Sequence, residues 1–401
     1  MHDDSQPLNR RAWLRTGCAQ CVALAAWLAT PAAAQSPAPT PTGEPDAFPI
    51  RLARPSLDSD EGGIWDLMDR EEARLRRSPF VVRDTALNTF LSEMVCRLGG
   101  EHCADVRVHV VRTPLFNATM SPNGMMQIWT GLLLRVENEA QLAAVLGHEL
   151  AHYLERHALE QLQDAKSRSA FAQFIGLFGA VGALAQLGLL AGAFAFSREH
   201  ETRADRLGMR LMKRASYDGQ EAAKVWDNLL GELKVTGGED AGKKSPMFAT
   251  HPPVAERRDT LLALAGGASG DRGVQGLRAV LAPHRLHWLQ DEIKRGQFEE
   301  SLVLFDRLLA QHSTDAPLLL SRGEVFRQRA RPDDLPRALQ DLSAAAALPD
   351  VPPEVHRSLA FVHRQREDKS AAIASFERYL QLSPQAADAP LIQRYLSELK
   401  T

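Results

Sequence analysis

Cysteine and net charge are both scarce in this chain of 401 residues. Four cysteines are too few for a disulfide-rich scaffold. The 47 Lys and Arg residues against 50 Asp and Glu residues give a formal charge of −3, so no net basic field favours nucleic acid as a partner. Apolar residues at 44% and charged residues at 24% are ordinary for a globular protein. These values exclude a disordered chain and a polytopic membrane protein, and the length allows two or three domains.

The first 34 residues have the pattern of an export signal. Three arginines between positions 10 and 15 precede an uncharged apolar stretch, and small residues at positions 31–34 then offer a cleavage site. The paired arginines favour a twin-arginine signal, with an ordinary secretory signal as the alternative. We therefore expect export, and residues 35–60, rich in Pro and Ser, are expected to form a linker.

Cleavage of the signal would leave two cysteines, Cys96 and Cys103. An exported protein matures in an oxidising compartment, where cysteines seven positions apart favour a local disulfide. Two buried thiols are the alternative.

Hydrophobic periodicity predicts a helical chain with two short strands after residue 60. The predicted helices are Gly63–Arg76, Asp84–Leu98 and Glu137–His157, the strands are Val106–Val111 and Met125–Thr130, and Asn117–Gly124 is expected to be a loop rich in turns.

The last 115 or so residues are repetitive. A small residue followed four positions later by a bulky one recurs at intervals of about 34 residues, the period of the tetratricopeptide repeat. The pairs are Ser301/Phe305, Ala338/Leu342 and Ala372/Phe376. We expect an all-α tetratricopeptide-repeat domain over residues 285–401, with a generic helical bundle as the alternative.

The strongest chemical signal is His148-Glu149-Leu150-Ala151-His152. On a helix, residues four apart share one face, so the imidazoles of His148 and His152 can bind one Zn²⁺. Glu149 lies about 100° away around the helix, where it can reach a water on the metal without being a ligand.

A hydrolytic zinc site needs a third protein ligand and an open position. Glu201 and Asp205 are four apart, so on a helix one carboxylate can bind zinc while the other orients a ligand histidine. Glu199 and His200 compete for the ligand role, and periodicity does not choose between them.

The combination of motifs resembles the gluzincin-type zinc peptidases of metallopeptidase family forty-eight, which include HtpX and the periplasmic BepA-like proteins. The resemblance is carried by residues 137–152, by Arg156-His157, by Asn117-Ala118, and by Ser197, Arg198, Glu201, Ala204 and Asp205, which fit the family's S-R-x-x-E-x-x-A-D pattern. It implies an α+β metallopeptidase domain at residues 61–270 with one Zn²⁺ per chain. It also implies that Glu201 is the third ligand and that Asp205 supports the ligands. Ser121-Pro122-Asn123-Gly124 replaces the family's usual Pro-Gly-Gly turn.

His251, with Arg257 six positions later, fits the H-P-x-x-x-x-R element of the same family. We expect His251 to be a reversible inhibitory fourth ligand, or a hydrogen-bond donor to the transition state, with a capping or packing role as the alternative. Arg257 is expected to stabilise an oxyanion or a carboxylate near the metal, or else to form a surface ion pair.

A block without charged residues spans positions 169–197, between the two groups of ligands. A single membrane crossing would separate groups that must meet at one metal, and two crossings need about 40 residues. The block is therefore expected to be a buried helix pair or a surface that touches a membrane, with true insertion as the third alternative.

The sequence thus predicts an exported zinc endopeptidase of the periplasm. The resemblance implies that it cleaves misfolded or mis-assembled envelope and outer-membrane proteins, while the repeats bind clients or an envelope assembly protein. The alternatives are a chaperone or assembly scaffold with a self-inhibited metal site, and a membrane-inserted peptidase. An extended substrate is expected to pair with the strand Met125–Thr130.

Overall fold

Helices dominate the part of the chain that this computed structural model describes, which is residues 48–164, 196–251 and 255–401. The expected export signal, residues 35–47 of the expected linker and residues 169–195 of the uncharged block lie outside it. Within the described residues, no helix combines the length and the apolar character that a membrane crossing requires.

The first two helices match the periodicity of the sequence. Helix α1 is Asp60–Leu75 and begins where the Ser59 side chain accepts a hydrogen bond from Gly62 N–H. Helix α2 is Thr85–Gly99, and its cap is Asp84, whose carboxylate accepts from Leu87 N–H. Such caps satisfy main-chain donors that the first helical turn leaves unpaired.

A disulfide joins Cys96 in α2 to Cys103 in the short 3₁₀ helix Gly100–Asp105, with Cα atoms 4.6 Å apart. The 3₁₀ helix leads directly into the first strand, so the bond holds the end of α2 beside the start of the sheet.

A three-stranded sheet follows, consisting of β1 (Arg107–Val111), β2 (Ala118–Met120) and β3 (Met125–Trp129), in the order β1-β3-β2. β3 pairs with β1 in parallel and with β2 in antiparallel fashion. Two expectations are therefore wrong. The loop Asn117–Gly124 contains a strand, which is too short for a period of two to be recognised. β3 is the central strand, so a substrate cannot pair with it; β2 lies at the edge.

The helix that carries the zinc motif is surrounded by protein. After α3 (Thr130–Arg135), helix α4 spans Glu139–Leu154, and each of its residues is buried. The expected helix to His157 is too long, because Arg156 takes a left-handed conformation with φ 58° and breaks it. A new helix, α5, begins at His157 and ends at Asp164.

Helix α6 packs against α4 and carries the second half of the motif. It spans Arg198–Arg214 and begins at Ser197, whose hydroxyl accepts from His200 N–H. The remaining helices, numbered over the described residues, are α7 (Glu221–Gly237), α8 (Pro246–Thr250), α9 (Ala255–Ala265), α10 (Val274–Lys294), α11 (Phe298–Gln311), α12 (Ala316–Arg329), α13 (Asp334–Ala346), α14 (Glu354–Gln365), α15 (Lys369–Leu382) and α16 (Ala389–Lys400).

The C-terminal region from α10 to α16 is all-helical, and consecutive helices pack as pairs. Gly323 in α12 shows how close the pairing is, since a Cβ there would lie 2.8 Å from Leu342 Cγ in α13. Ala338, Leu342, Ala372 and Phe376, from the recurring small and bulky pairs, are fully buried. The small residues therefore mark points of close helix contact.

A buried ion cluster joins this C-terminal region to the peptidase helices. Arg135 in α3 contacts Glu232 in α7 (Nε to Oε2, 2.7 Å) and Glu292 in α10 (Nη2 to Oε1, 2.9 Å). Arg307 in α11 adds contacts to Glu232 (2.7 Å) and Glu137 (2.6 Å). Arg135, Glu232 and Glu292 are at most 4% exposed, so each charge depends on the others for compensation.

The disulfide is expected to stabilise the fold by closing an eight-residue loop, worth roughly 2 kcal/mol in chain entropy. Cys96→Ala and Cys103→Ala should each lower the free energy of unfolding by that amount, and the double variant should lose no more than either single variant. Denaturant unfolding without reductant measures all three. Additive losses would mean that the two sulfurs contribute separately.

Candidate metal centre

Two glycines let the ligand-bearing helices touch through their backbones. A Cβ on Gly208 of α6 would lie 3.0 Å from the main-chain nitrogen of His148, and one on Gly147 of α4 would lie 3.2 Å from Gly208 O. Larger residues would force the helices apart. Because Glu201 lies two turns before Gly208 on the same helix, this contact sets its carboxylate opposite the histidine pair.

Four side chains converge between α4, α6 and the C-terminal end of α8. They are His148, His152, Glu201 and His251, all buried, and each offers a ligand atom within 4.8 Å of the others. The Nε2 atoms of His148 and His152 are 3.0 Å apart. His251 Nδ1 lies 3.3 Å from His148 Nε2 and 2.8 Å from Glu201 Oε1.

These distances suit a tetrahedral zinc site. Zinc bonds nitrogen and oxygen at about 2.0–2.1 Å, which places neighbouring ligand atoms about 3.3 Å apart. The contacts above, with His152 Nε2 to Glu201 Oε1 at 3.6 Å and His148 Nε2 to Glu201 Oε2 at 3.5 Å, scatter around that value. Buried imidazoles and a carboxylate are also the donor types that zinc prefers.

Asp205 and Arg257 support one side of the group. Asp205 Oδ1 lies 3.0 Å from His148 Nδ1, where a carboxylate fixes the orientation of a ligand imidazole. Arg257 donates two hydrogen bonds of 2.8 Å to Asp205, and its Nη1 lies 2.9 Å from Glu201 Oε2. The guanidinium stacks over the Trp226 ring at 4.9 Å. Arg257 is buried, which excludes the surface ion pair considered from the sequence.

Glu149 lies beside the four converging side chains and is not one of them. Its Oε1 lies 3.4 Å from His251 Nε2 and accepts no hydrogen bond from any described residue. The Met120 main chain at the sheet edge hydrogen-bonds to the carboxyl group. Burial raises the pKa of Glu149 to about 7, which is suitable for a group that takes and returns a proton near neutrality.

Electrostatics favours the metal-binding form at Glu201 and His152. At His148 burial and the charge of Arg257 act to lower the pKa, but hydrogen bonds with Asp205 and Glu201 raise it. Burial acts to raise the pKa of Glu201, but the opposite charge of His251 and the hydrogen bonds with His148 and His251 hold that pKa well below its usual range. Burial and the neighbouring His148 lower the pKa of His152. A carboxylate and a neutral imidazole are the forms that bind metal.

The sequence left the choice among three acidic or imidazole side chains of α6 open, and the structure separates them. Glu199 is exposed, and His200 points its Nε2 at Glu160 Oε2, 3.1 Å away. Glu201 alone of the three faces the histidine pair. Sequence reasoning missed Gly208, although its position seven residues after Glu201 places it on the same helix face, and it missed Met120 and Trp226, which only the packing of distant segments brings to the site.

This region is similar to a known family of peptidases. Residues 82–265 match the model of Peptidase family M48. The mitochondrial metalloendopeptidase OMA1 of Schizosaccharomyces pombe is 34% identical over 155 residues, which are 37% of this chain and 44% of that protein. The β-barrel assembly-enhancing protease of Escherichia coli K12 is 26% identical over 196 residues, 45% of this chain and 39% of that protein.

The chain spans less than half the length of these curated relatives. The similarity over residues 82–265 and the donor group support two predictions from the sequence, a zinc metalloendopeptidase and zinc as its cofactor. The relatives include both mitochondrial and bacterial proteins, so the compartment and the clients do not follow from the match.

Replacing Glu201 by Gln is expected to weaken zinc binding by more than about 100-fold. Loss of a residue that only hydrogen-bonds to a ligand typically costs 10- to 100-fold, and loss of the ligand itself should cost more. Competition with a chromophoric chelator measures the affinity. Glu199→Gln, on the same turn but exposed, is the matched control and should bind zinc like the wild type. Equal affinities for the two variants would contradict the assignment of Glu201.

Proposed function

We propose that this protein is an exported zinc metalloendopeptidase that cleaves misfolded or mis-assembled proteins of the cell envelope, in the periplasm and near the outer membrane. The observation that carries the peptidase activity is the convergence of His148, His152 and Glu201 beside Glu149. The envelope role draws support from the export-like N-terminal sequence and from the similarity to the β-barrel assembly-enhancing protease.

His148, His152 and Glu201 would hold the zinc. Zinc in this donor set supplies Lewis-acid activation of a peptide carbonyl and of a water molecule. Glu149, placed against the group but outside it, takes the proton of the water at its carboxylate and passes it to the leaving amine. The Met120 main chain fixes the orientation of that carboxylate. Asp205 and Arg257 keep His148 and Glu201 in place.

The edge strand β2 offers the best place for an extended substrate. The flanking residues Asn117 and Ser121 make main-chain hydrogen bonds to β3. Because main-chain groups alternate along a strand, those of Ala118 and Met120 face away from the sheet. A peptide added there would lie beside Glu149, and main-chain pairing would select extended, unfolded segments with little regard to side chains.

We propose that the C-terminal helices bind clients or an envelope assembly protein. A cavity of about 580 Å³ opens among α10, α12, α14 and α15, lined in part by Leu286, Leu320, Glu324, Arg357 and Tyr379. Apolar side chains lie there together with Tyr379 and Arg357, and aromatic residues and Arg are enriched where proteins bind each other. We propose that these helices are tetratricopeptide repeats and that this cavity takes part of a partner chain.

Replacing Glu149 by Gln tests the chemistry. The variant should lose at least about 100-fold in kcat on an unfolded casein, since general-base catalysis typically contributes 10²- to 10⁴-fold, and it should keep its zinc. Release of soluble peptides measures activity, with Glu199→Gln as the control. A Glu149→Gln protein that cleaves casein like the wild type would refute the proposed function.

A second candidate function is a chaperone or assembly scaffold whose metal site is self-inhibited. The position of His251 favours it, because Nδ1 lies at the corner that a substrate or water needs. The main-chain N–H of His251 donates to Met247 O (2.8 Å) at the end of α8, so a small movement of this short helix would remove the imidazole. We propose that His251 is a reversible inhibitory ligand.

His251→Ala should raise kcat on a short peptide by about tenfold or more while zinc stays bound, because three ligands remain and the fourth corner is open. Steady-state kinetics together with metal analysis measure both quantities. An unchanged rate with unchanged zinc would contradict inhibition, and a lower rate would instead assign His251 to substrate or transition-state binding.

A further inference from the structure

The two histidine ligands of α4 differ in the side chain that contacts their Nδ1 atom. His148 faces the Asp205 carboxylate directly, as described above. On the opposite side of the site, His152 Nδ1 lies 2.9 Å from Nδ1 of a second histidine, His157. Sequence spacing places His157 off the ligand face of a continuous helix and predicts a structural role.

The break at Arg156 explains the difference. On an unbroken helix a residue five positions later is rotated by about 140° from His152. The left-handed conformation of Arg156 instead ends α4, and the Arg156 carbonyl then accepts from the N–H groups of Leu159 and Glu160 as α5 begins. This turn folds His157 back against His152, where it is fully buried.

The hydrogen bond between the two Nδ1 atoms requires one donor and one acceptor. An imidazole that binds metal through Nε2 carries its proton on Nδ1, so His152 donates and His157 accepts. His157 must then carry its own proton on Nε2. That atom lies 3.3 Å from Glu155 Oε2, the only carboxylate paired with it among the described residues, in charge contact but without hydrogen-bond geometry.

Neighbouring side chains hold both His157 and Glu155 in place. The His157 ring stacks on His200, with centroids 4.5 Å apart and planes 22° apart. Arg203 donates to Glu155 Oε2 at 2.6 Å and to Glu160 Oε2 at 2.8 Å, and Glu160 contacts His200. Each side chain is thereby held by at least one other, which keeps the His157 ring in one orientation.

We propose that His157 is a positioning residue for the zinc site, which accepts a hydrogen bond from His152 Nδ1–H, while the nearby Glu155 carboxylate favours the tautomer of His157 that carries its proton on Nε2. The inference rests on the proposed assignment of His152 as a zinc ligand. His148 then has a carboxylate, Asp205, as its partner, and His152 has a histidine, His157, which itself lies near a carboxylate. His157 touches neither substrate nor metal.

Two substitutions separate hydrogen bonding from packing. His157→Phe keeps a ring to stack on His200 but has no acceptor, so zinc affinity should fall 10- to 100-fold, the usual effect of losing such a partner. His157→Asn loses the ring but places an amide oxygen near the former Nδ1, so its affinity should stay within about threefold of the wild type. Chelator competition on the full chain measures all affinities.

His102→Phe is the matched control, because His102 is also a buried histidine, but it lies in the 3₁₀ helix after α2 and its Nε2 contacts the Pro49 carbonyl. It should bind zinc like the wild type. Thermal unfolding of the metal-free variants shows whether each one folds. If His157→Phe binds zinc like the wild type, or if His157→Asn is as weak as His157→Phe, the positioning role is wrong.

Nitrogen-15 NMR of the zinc-loaded wild type tests the proposal without a substitution. We expect His157 to be protonated at Nε2 and not at Nδ1, and His152 to carry its proton at Nδ1. Protonation of His157 Nδ1 would overturn the proposal. A wild-type chain that binds no zinc would instead overturn the proposed function, so the two failures are distinguishable.

Discussion

Close backbone contact between α4 and α6 is the constraint on which the rest of the site depends. Side chains from two segments some fifty residues apart can reach one ion only if the helices approach without side chains between them, and Gly147 and Gly208 supply that contact. The depth of the site follows from it. The ligands are buried because the helices enclose them, and burial in turn makes unpaired charge so costly that each ionised group needs a partner.

Arg257 provides much of the compensation for that charge. One guanidinium lies against Asp205 and Glu201, two carboxylates that would otherwise repel each other in a region of low dielectric. The same group packs on Trp226. Arg257 and Asp205 thus make a preformed cradle for His148, while His157 and Glu155 do the corresponding work for His152. Side chains held in this way lose little conformational entropy when they bind a metal.

The sequence predicted the parts of this site that depend on local spacing. His148, Glu149 and His152 follow from the helical period alone, and the separation of Glu201 from Asp205 follows from the same rule. Glu201 could not be chosen over Glu199 or His200 without the family pattern, because the choice depends on how α6 is rotated against α4. Strand β2 has only three residues, too few for a pattern. The position of His157 required a left-handed residue at Arg156, and arginine has no preference for that conformation.

The ion cluster around Arg135 has a consequence for how the two halves of the molecule relate. Pulling α10 and α11 away from the peptidase helices would separate Glu292 from Arg135 and Arg307 from Glu232, and removal of one partner of a buried ion pair typically costs about 3–5 kcal/mol. The C-terminal helices therefore do not behave as a detachable adaptor on a flexible tether. A force applied to the C-terminal helices, or a partner that moves them, acts on α3 and α7 through this cluster. Helix α3 continues directly from the central strand of the sheet. Grafting a different helical array at this junction would require replacing Arg135, Glu232 and Glu292 together.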